Sequence, residues 1–414
     1  MERPALSLFT GAGGLDLGLE AAGFTIKAAV EVDRRARETL RINRPTWKLV
    51  TPGDVFTYSS PELVAACGFR SGEIALLSGG PPCQPFSKAS QWVTGDTPRL
   101  SDPRAATLEA YVSLVEAGLP FAIILENVDG FAYRNKDDGL NAVLSGLDRV
   151  NKRTGSRYSP SVFQVNAMDF GVPQRRARTF VVAQRDGLLF RLPSATHGNS
   201  AGQTRHATAW DAFANLQDCP GPETALKGKW RDLLPSIPEG ANYLWHTPRG
   251  GGMSLFGWRT RYWSFLLKLA KDKPSWTIPA SPGPATGPFH WDNRRLSVAE
   301  LKRIQTFPDS YVVTGSLSDV QWQIGNSVPP LLGEVLGRAI LEQFFAEGTD
   351  EPLIHSLKRS EQPPPAGEVT QVPLQYHCFV GLHPAHPGTG GGPRALLRAE
   401  EKEMGESDDQ SAAG

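Results

Sequence analysis

The chain has 414 residues, of which 40% are hydrophobic and 21% charged, and its 43 basic residues balance its 43 acidic ones. This composition is that of a globular protein large enough for two domains, and it argues against a disordered or fibrous chain. No apolar run reaches the length of a membrane span, and the N-terminus lacks the apolar core of a secretion signal, so we expect a cytoplasmic protein. The four cysteines are widely spaced, with no Cys/His cluster at zinc spacing, which predicts neither a disulfide framework nor a metal site.

The first part of the chain alternates apolar runs with helical patterns. Strands are predicted at residues 5–9, 24–33, 73–79, 121–128, 162–167 and 178–185. Helices are predicted at residues 15–22, 34–43 and 107–119. Strands that alternate with helices predict an α/β fold with a parallel sheet.

This regular pattern stops near residue 186. Seven of the ten tryptophans lie between positions 201 and 300, and residues 227–303 hold thirteen Lys and Arg against five Asp and Glu. We therefore predict a second, smaller domain at residues 186–293, whose basic charge suits a polyanion such as DNA. A solvated basic face is the alternative.

The pattern becomes regular again after this region. A helix at residues 295–307 carries Ser297 as its N-cap with Glu300 three residues later, and a last helix is predicted at residues 331–345. Residues 349–414 are rich in proline, glycine and acid, which predicts a disordered tail. The predicted organisation is thus a main domain at residues 1–185 and 294–348, the second domain at 186–293, and the tail.

A glycine-rich turn follows the first strand. Gly11, Gly13 and Gly14 allow a tight turn and close approach of a ligand to the start of a helix, whose free amide groups favour an anion. The spacing is not that of a dinucleotide fingerprint, because Asp16 stands where the third glycine would be. Glu31, at the end of the second strand, can hold both hydroxyls of a ribose, although a solvated strand end is the alternative. Together these features favour an adenosine-containing cofactor.

Two potentially catalytic residues follow later strands. Cys83 stands in GGPPCQPFS, where Pro81, Pro82 and Pro85 restrict the backbone just beyond a strand. A cysteine acts as a nucleophile only as thiolate, and a structural role in a tight loop is the alternative. Glu126 closes an apolar strand, where burial raises a carboxyl pKa towards a value useful for proton donation. Capping of the next helix is the alternative for that residue.

Three polar side chains stand at alternate positions at the start of the last predicted strand. We expect Gln174, Arg176 and Arg178 to share one face of it, where two arginines could grip a planar anionic intermediate. A surface ion-pair network is the alternative.

The order of these motifs resembles that of the DNA cytosine-5 methyltransferases. The motifs FTGAGG, EVD, GD, GGPPCQPFS, LENV, QRRAR and QIGNSVPP follow one another from about Leu6 to Phe345, with a gap at the Trp-rich region, where that family is variable. The pair PPCQPFS and ENV is highly specific. The resemblance implies a Rossmann-like S-adenosylmethionine-dependent methyltransferase sheet with a second, smaller target-recognition domain.

The resemblance also implies the catalytic roles. Cys83 would add to C6 of cytosine, which turns C5 into a nucleophile and divides one difficult step into easier ones. Glu126 would contact N3 and the exocyclic amine and assist protonation. Arg176 and Arg178 would orient and stabilise the base and the loop that covers it.

By the same resemblance, S-adenosylmethionine is the cofactor. Its expected binding residues are Phe9, Gly11, Gly13, Gly14, Leu15, Glu31, Val32, Asp54, Asn326 and Ser327. Phe9 would pack on the adenine, Glu31 would bind the ribose and Asp54 would meet the adenine amino group. Since the GNSVPP turn is distant in sequence, the C-terminal helix must return beside the first strand.

The expected substrate is double-stranded DNA, from which the target cytosine must be flipped out. Residues 84–102, with Gln84 and Ser87 as candidate DNA contacts, would form a loop that closes over the DNA, although Lys88–Ser90 departs from the glycine of many relatives. In the recognition domain the candidates for reading bases or holding phosphates are Arg249, Arg259 and Arg261, beside the flexible RGGG segment. The tryptophans there are expected to form the core.

The implied biological role is that of a monomeric bacterial enzyme that protects host DNA from a partner restriction endonuclease. Three alternatives remain open at the level of sequence. They are an RNA (tRNA) cytosine-5 methyltransferase, a nicotinamide- or flavin-dependent oxidoreductase, and a catalytically inactive DNA-binding relative. The absent third glycine counts against the oxidoreductase, and the presence of Cys83, Glu126, Arg176 and Arg178 counts against the inactive relative.

Overall fold

The computed structural model describes residues 2–82, 106–128, 138–217, 220–258 and 263–382. The chain divides into two compact units. The large unit comprises Met1–Ala225, Leu269–Pro282 and Arg295–Pro365, and the small unit comprises Leu226–Lys268, Gly283–Arg294 and Ala366–Gly414. Within these described ranges no helix has the length and apolar character needed to cross a membrane. The same residues include no cluster of three or more His, Cys, Asp or Glu placed to bind a metal ion.

The large unit is built on a central sheet. Its strands are β1 (Pro4–Leu8), β2 (Thr25–Val30), β3 (Lys48–Leu49), β4 (Leu76–Gly79), β5 (Ala122–Val128), β6 (Ser161–Asn166) and β8 (Ala177–Gln184), while β7 (Gln174–Arg175) pairs with β9 (Ser275–Trp276) in a separate ribbon. The seven strands of the sheet lie in the order β3–β2–β1–β4–β5–β8–β6. The carboxyl ends of β1, β2, β4 and β5, which are parallel, therefore meet at one edge.

Helices cover both faces of this sheet. They are α1 (Gly14–Ala22), α2 (Arg34–Asn43), α3 (Ser60–Ala66), α4 (Ala106–Gly118), α5 (Asp138–Thr154), α6 (Ala209–Phe213), α7 (Val298–Ile304), α8 (Leu317–Asn326) and α9 (Pro330–Phe345). One apolar cluster joins α1 and α9 to the sheet, and a second joins α3, α4 and α5 to its other face. Because both faces are buried, β5 reads as a continuous apolar run rather than an alternating one. The predicted α/β sheet architecture is confirmed.

The prediction of a parallel sheet is wrong for one strand. β8 runs antiparallel to both of its neighbours, β5 and β6. The connection from β6 to β8 is short and contains only a 3-10 turn, Ala167–Phe170, and the two residues of β7. A parallel crossover needs a longer connection, so the chain returns antiparallel.

The last helix packs directly on the first one. A Cβ at Gly18 would overlap the Pro330 carbonyl oxygen, and a Cβ at Gly333 would lie 2.7 Å from the Leu15 carbonyl oxygen. Only glycine permits this close approach of two helix backbones. We expected the C-terminal helix to return beside the first strand. It does return to the N-terminal part of the chain, but the element that it packs on so closely is α1, the helix that follows this strand.

The observed units differ from the predicted boundaries. Residues 186–225 belong to the large unit, where Arg191 and Gln343 exchange two hydrogen bonds of 2.8 Å. Residues 349–365 belong there too, because buried carboxylates hold them: Glu334 accepts from the amides of Ile354 and His355. Amino-acid composition does not predict hydrogen bonds of this kind between residues that are distant in sequence.

The small unit contains little regular structure and is held by aromatic packing. Its core includes Leu233, Tyr243, Phe256 and Tyr376, and the Tyr376 ring stacks on Trp230 with centroids 5.6 Å apart. The disorder predicted for the whole tail is therefore wrong for residues 349–382. Tyr376 is buried in the core of the small unit, and this apolar contact holds the C-terminal segment in place. The composition of the tail as a whole does not predict such a contact.

Candidate active site

The glycine turn lies where β1 ends. Phe9, Gly11 and Gly13 have φ values of 54°, 55° and 78°, so the backbone turns through the left-handed region three times before α1 begins. Glycine adopts such values without strain, whereas Phe9 does so at a cost. The first amide groups of α1 are left without helical acceptors and face the end of the turn.

Glu31 joins this turn to the end of β2. One carboxylate oxygen accepts a 2.6 Å hydrogen bond from the Gly11 amide, and the other accepts a 2.7 Å bond from the Asp33 amide. Burial raises the pKa of this carboxyl. Each oxygen has a further lone pair, so the group can accept from two neighbouring hydroxyls as well.

The loops after β2 and β3 are held close together. A Cβ at Gly53 would overlap the Glu31 carbonyl oxygen, and the Arg37 guanidinium donates to the carbonyl oxygens of Glu31 and Val50. Two apolar side chains on these loops are exposed to solvent, Val32 at 70% and Phe56 at 55%. The sequence analysis did not identify Phe56 as a site residue. The pattern that could have indicated it is an apolar residue two positions after Asp54, whose carboxylate accepts a hydrogen bond from the Phe56 amide.

The GNSVPP segment forms a further side of the site. A Cβ at Gly14 would overlap the Val328 carbonyl oxygen and lie 3.0 Å from the Ser327 Cβ. Asn326 is exposed, whereas Ser327 is buried and donates its hydroxyl to the Gln323 carbonyl oxygen at 2.8 Å. The structure thus brings the start of α1 and the end of α8 into contact, as the motif order implied.

The predicted nucleophile follows directly after described residues. Gly79 ends β4 against the Tyr111 ring, and Gly80, Pro81 and Pro82 continue the chain beyond the sheet. Cys83, Gln84 and Ser87 lie outside the described residues.

Glu126 and Arg178 form a buried ion pair beside this segment. The Arg178 Nε lies 2.8 Å from a Glu126 carboxylate oxygen, and both side chains are largely withdrawn from solvent. A Cβ at Gly80 would lie 3.1 Å from the other carboxylate oxygen, and the Asn127 side chain donates to the Pro81 carbonyl oxygen at 3.4 Å. Burial raises the pKa of Glu126, and the charges of Arg178 and Arg176 oppose that rise. A carboxyl of this kind can hold a proton and release it to a substrate.

Arg176 and Gln174 have other partners. The Arg176 side chain is fully buried and donates to the carbonyl oxygens of Gly325 and Ser327 at 2.8 and 2.7 Å. Gln174 donates to the Gln305 side chain at 2.9 Å, which in turn donates to the Ser327 carbonyl oxygen. The prediction that three side chains share one strand face is wrong for Gln174, because β7 and β8 are separate strands broken at Arg176. These two side chains hold the GNSVPP segment in place.

Comparison with known proteins identifies the family of this chain. The model of the C-5 cytosine-specific DNA methylase family matches residues 4–342. The chain belongs to this family. It is 41% identical over 373 residues to the Type II methyltransferase M.SacI of Streptomyces achromogenes, covering 83% of this chain and 94% of that protein. It is 31% identical over 346 residues to M.NgoFVII of Neisseria gonorrhoeae, covering 82% of this chain and 86% of that protein.

Solved structures share the fold of the methyltransferase at low sequence identity. The Entamoeba histolytica methyltransferase EhMeth gives a TM-score of 0.55 at 17% identity, covering 84% of this chain and 98% of that chain. Spodoptera frugiperda DNMT2 gives 0.57 at 17%, covering 83% and 100%. The protein is a DNA cytosine-5 methyltransferase of the Type II restriction-modification type with S-adenosylmethionine as methyl donor. The family excludes the oxidoreductase alternative, and it does not favour RNA as the substrate.

The residues at this edge of the sheet fit S-adenosylmethionine. The exposed Val32 and Phe56 side chains offer apolar surface to an adenine ring, and the Asp54 carboxylate offers an acceptor for its amino group. Glu31 offers acceptors to the ribose hydroxyls, and the amides at the start of α1 offer donors to the methionine carboxylate. When bound, the cofactor supplies an electrophilic methyl group on a sulfonium.

Asp16 carries a buried carboxyl group. The sequence analysis noted it only because it replaces the third glycine of a dinucleotide-binding motif. It lies in the first turn of α1 and accepts a 3.0 Å hydrogen bond from the Ser78 hydroxyl at the end of β4. Burial raises its pKa from 3.8 to about 6, against hydrogen bonds from Ser7 and Ser78 that lower it. The signal in the sequence was an acid within an otherwise apolar helix face. Asp16 ties the cofactor turn to the segment that leads to Cys83.

We expect Asp16→Asn to stabilise the protein at alkaline pH. Since the folded pKa of Asp16 is raised, its contribution to stability is fully present below pH 3.8 and is lost as pH rises through about 6. Above that value the cost of ionising the buried group reaches about 3 kcal/mol. The free energy of unfolding of the variant, measured in urea from pH 4 to 8, should gain on that of the wild type between about pH 4 and 6 and keep a constant excess above pH 6. The exposed Asp148→Asn is the control, and a difference that does not vary with pH would contradict this explanation.

The small unit carries one of the three predicted DNA-binding arginines within the described residues. Arg249 is exposed and its guanidinium lies over the Trp258 ring, 3.9 Å from the centroid. Arg259 and Arg261 lie outside the described residues. The tryptophans divide into two groups: Trp230 and Trp245 pack against the core, as expected, whereas Trp258 and Trp263 are exposed.

Proposed function

We propose that this methyltransferase modifies C5 of one cytosine in a short double-stranded DNA sequence through a covalent bond between Cys83 and cytosine C6. The observation that carries the proposal is the buried Glu126–Arg178 pair, which lies against Gly80 and so beside the segment that leads to Cys83. A proton donor and a nucleophile close to each other are what addition to a cytosine ring requires.

Cys83 and Glu126 act together in the first step. The Cys83 thiolate adds to C6, and the displaced electron pair of the C5–C6 double bond makes C5 nucleophilic. Glu126, whose raised pKa favours a bound proton, donates that proton to N3 and so neutralises the charge that develops on the ring. Arg178 holds the Glu126 carboxyl through its Nε and donates to the Ala177 carbonyl oxygen at 2.7 Å, which restricts both side chains.

The last step releases the enzyme. The bound cofactor would supply the methyl group to C5, keep the electron pair of the broken sulfur–carbon bond and leave as a neutral thioether. C5 then loses its proton to solvent, the C5–C6 double bond forms again, and the Cys83 sulfur leaves as thiolate. The proton on N3 returns to Glu126, so both residues regain their starting states. Arg176 holds the Gly325 and Ser327 carbonyl oxygens beside the cofactor site, and its charge acts on Glu126 by opposing the rise of that pKa.

The target cytosine reaches these residues only when it is flipped out of the duplex. We assign the closing of the site over the flipped base to residues 84–102, with Gln84 and Ser87 as DNA contacts. Asn127 donates to the Pro81 carbonyl oxygen and so fixes the chain three residues before that segment begins.

We further propose that the small unit selects the target sequence, with Arg249, Arg259 and Arg261 among its DNA contacts. A single chain contains both the catalytic motifs and this basic segment, which supports action as a monomer. The enzyme would protect host DNA from a partner endonuclease that cleaves the same sequence.

Replacing Cys83 with alanine is expected to abolish methyl transfer. Bisulfite sequencing of DNA from cells that express the wild type should show 5-methylcytosine in one short motif, and none with Cys83→Ala, because the variant has no thiolate to activate the ring. Calorimetry should show that the variant still binds S-adenosylmethionine. Cys378→Ala, at an exposed cysteine of the small unit, should methylate as the wild type does. A folded wild-type protein that binds the cofactor but leaves DNA unmodified would move the proposal to RNA or another acceptor atom.

A further inference from the structure

The segment around Arg249 is packed tightly rather than being a flexible linker. A Cβ at Gly250 would overlap the Trp245 carbonyl oxygen, and one at Gly252 would lie 2.6 Å from the indole nitrogen of Trp245. The three consecutive glycines therefore let the backbone lie directly on this tryptophan. The expectation that RGGG is flexible is wrong, because the space that a side chain would need at each glycine is occupied by the ring or the backbone of Trp245.

The same segment is anchored on its other side by a buried histidine. His246 contacts the Ser236 hydroxyl at 2.8 Å through Nε2 and the Met253 carbonyl oxygen at 3.0 Å through Nδ1. Residues on both sides of the glycines are thus held by the core of the small unit. The loop presents Arg249 from a rigid base.

Arg249 itself is oriented by stacking. The carbon of its guanidinium lies over the Trp258 ring, 3.9 Å from the centroid, and 37% of the surface of this tryptophan is exposed. A cation–π contact this short holds the guanidinium against the ring. In the part of the chain that the structure describes, no carboxylate forms an ion pair with Arg249, whereas Arg231, also in the small unit, pairs with Asp232 at 3.3 Å. The in-plane N–H groups of Arg249 are therefore available to an external acceptor.

The chemistry of that acceptor follows from this geometry. A stacked guanidinium offers two parallel N–H donors in a fixed plane, which match two acceptors side by side in the plane of a flat ligand. Guanine presents such a pair, O6 and N7, in the major groove of DNA. A phosphate needs charge but no fixed plane, and a lysine would serve it equally well.

We propose that Arg249, held flat by Trp258, reads one guanine of the target sequence. This inference rests on the proposed function only in taking duplex DNA as the ligand. It identifies a base and the side chain that reads it, which the proposed function leaves open.

The test is a duplex library with randomised positions, enriched by binding to the full-length protein and sequenced. Arg249→Ala should reduce the preference for guanine at one position by about tenfold to a hundredfold, with the other positions unchanged. Trp258→Ala should weaken the preference at the same position, because the guanidinium loses its plane. Arg249→Lys should keep affinity but not restore the guanine preference. Arg231→Ala is the matched control and should bind the wild-type sequence set.

Two results would overturn the inference. A uniform loss of binding across all sequences, with the motif intact and restored by Arg249→Lys, would identify a phosphate contact. An unchanged motif in a folded Arg249→Ala protein, with a melting temperature equal to that of the wild type, would exclude any reading role. The library measures binding alone, so it tests the role of Arg249 even if the enriched DNA is not methylated. A lack of methylation would count against the proposed reaction and not against this inference.

Discussion

Glu126→Gln is expected to lower kcat by about a hundredfold to ten-thousandfold, the range usual for removal of a general acid. Glutamine keeps the shape of the side chain and can still accept from the Arg178 Nε, but it has no proton to give to N3. Because burial raises the pKa of Glu126, its protonated form is lost only as pH rises through that raised value. In the wild type this ionisation should make the rate of methyl transfer fall as pH rises. The variant should not show this fall. Single-turnover methyl transfer across a pH series measures both effects.

The affinity for S-adenosylmethionine separates this prediction from general damage. The residues expected to bind the cofactor lie after β1, β2 and β3 and at the end of α8, and Glu126 is not among them, so the Kd of Glu126→Gln should equal that of the wild type. Glu116→Gln makes the same chemical change on α4, in a surface pair with Arg153, and should leave the rate unaltered. A rate close to that of the wild type in Glu126→Gln would remove this residue from the mechanism.

Tyr376→Ala is expected to abolish specific DNA binding while leaving cofactor binding intact. The Tyr376 ring is buried in the core of the small unit, stacks on Trp230 and donates its hydroxyl to the Lys229 carbonyl oxygen at 2.8 Å. Loss of a buried aromatic ring of this size costs roughly 3–5 kcal/mol, which is comparable to the stability of a small unit with so little regular structure. Fluorescence titration with duplex DNA and calorimetry with S-adenosylmethionine give the two readings from one preparation.

Two variants in the same 3-10 turn control for this result. Leu374→Ala removes a side chain that is 82% exposed and should bind DNA as the wild type does. Tyr376→Phe keeps the stacked ring and loses one hydrogen bond, so it should retain most of the binding. If Tyr376→Ala bound DNA normally, the C-terminal segment would be no part of the recognition unit.

Local features of the fold could be predicted because they depend on neighbouring residues. The apolar run of β5 and the capping box that begins at Ser297 are short patterns, and both are present in the structure. The link between Glu31 and the glycine turn was also visible, since the ends of adjacent parallel strands meet at one edge of a sheet.

Features that depend on distant partners could not be predicted. The carbonyl oxygens that accept from Arg176 lie about 150 positions later in the chain, and no local pattern reveals them. The direction of β8 depends on the length of a connection rather than on the strand's own residues. Tyr376 was overlooked because the composition of residues 349–414 as a whole conceals the aromatic spacing of Tyr376 and Phe379, which both pack on Trp230.

The contact between α1 and the segment that begins α9 also has a consequence for synthesis on the ribosome. Gly14 and Gly18 lie directly against Val328 and Pro330, which come more than 300 residues later in the chain. Contacts of such long sequence separation form late and slow folding. The nascent methyltransferase therefore cannot complete its cofactor pocket until translation has passed the last helix. Chains that end before that point lack one side of the pocket, and the apolar face of α1 that packs on α9 has no partner in them.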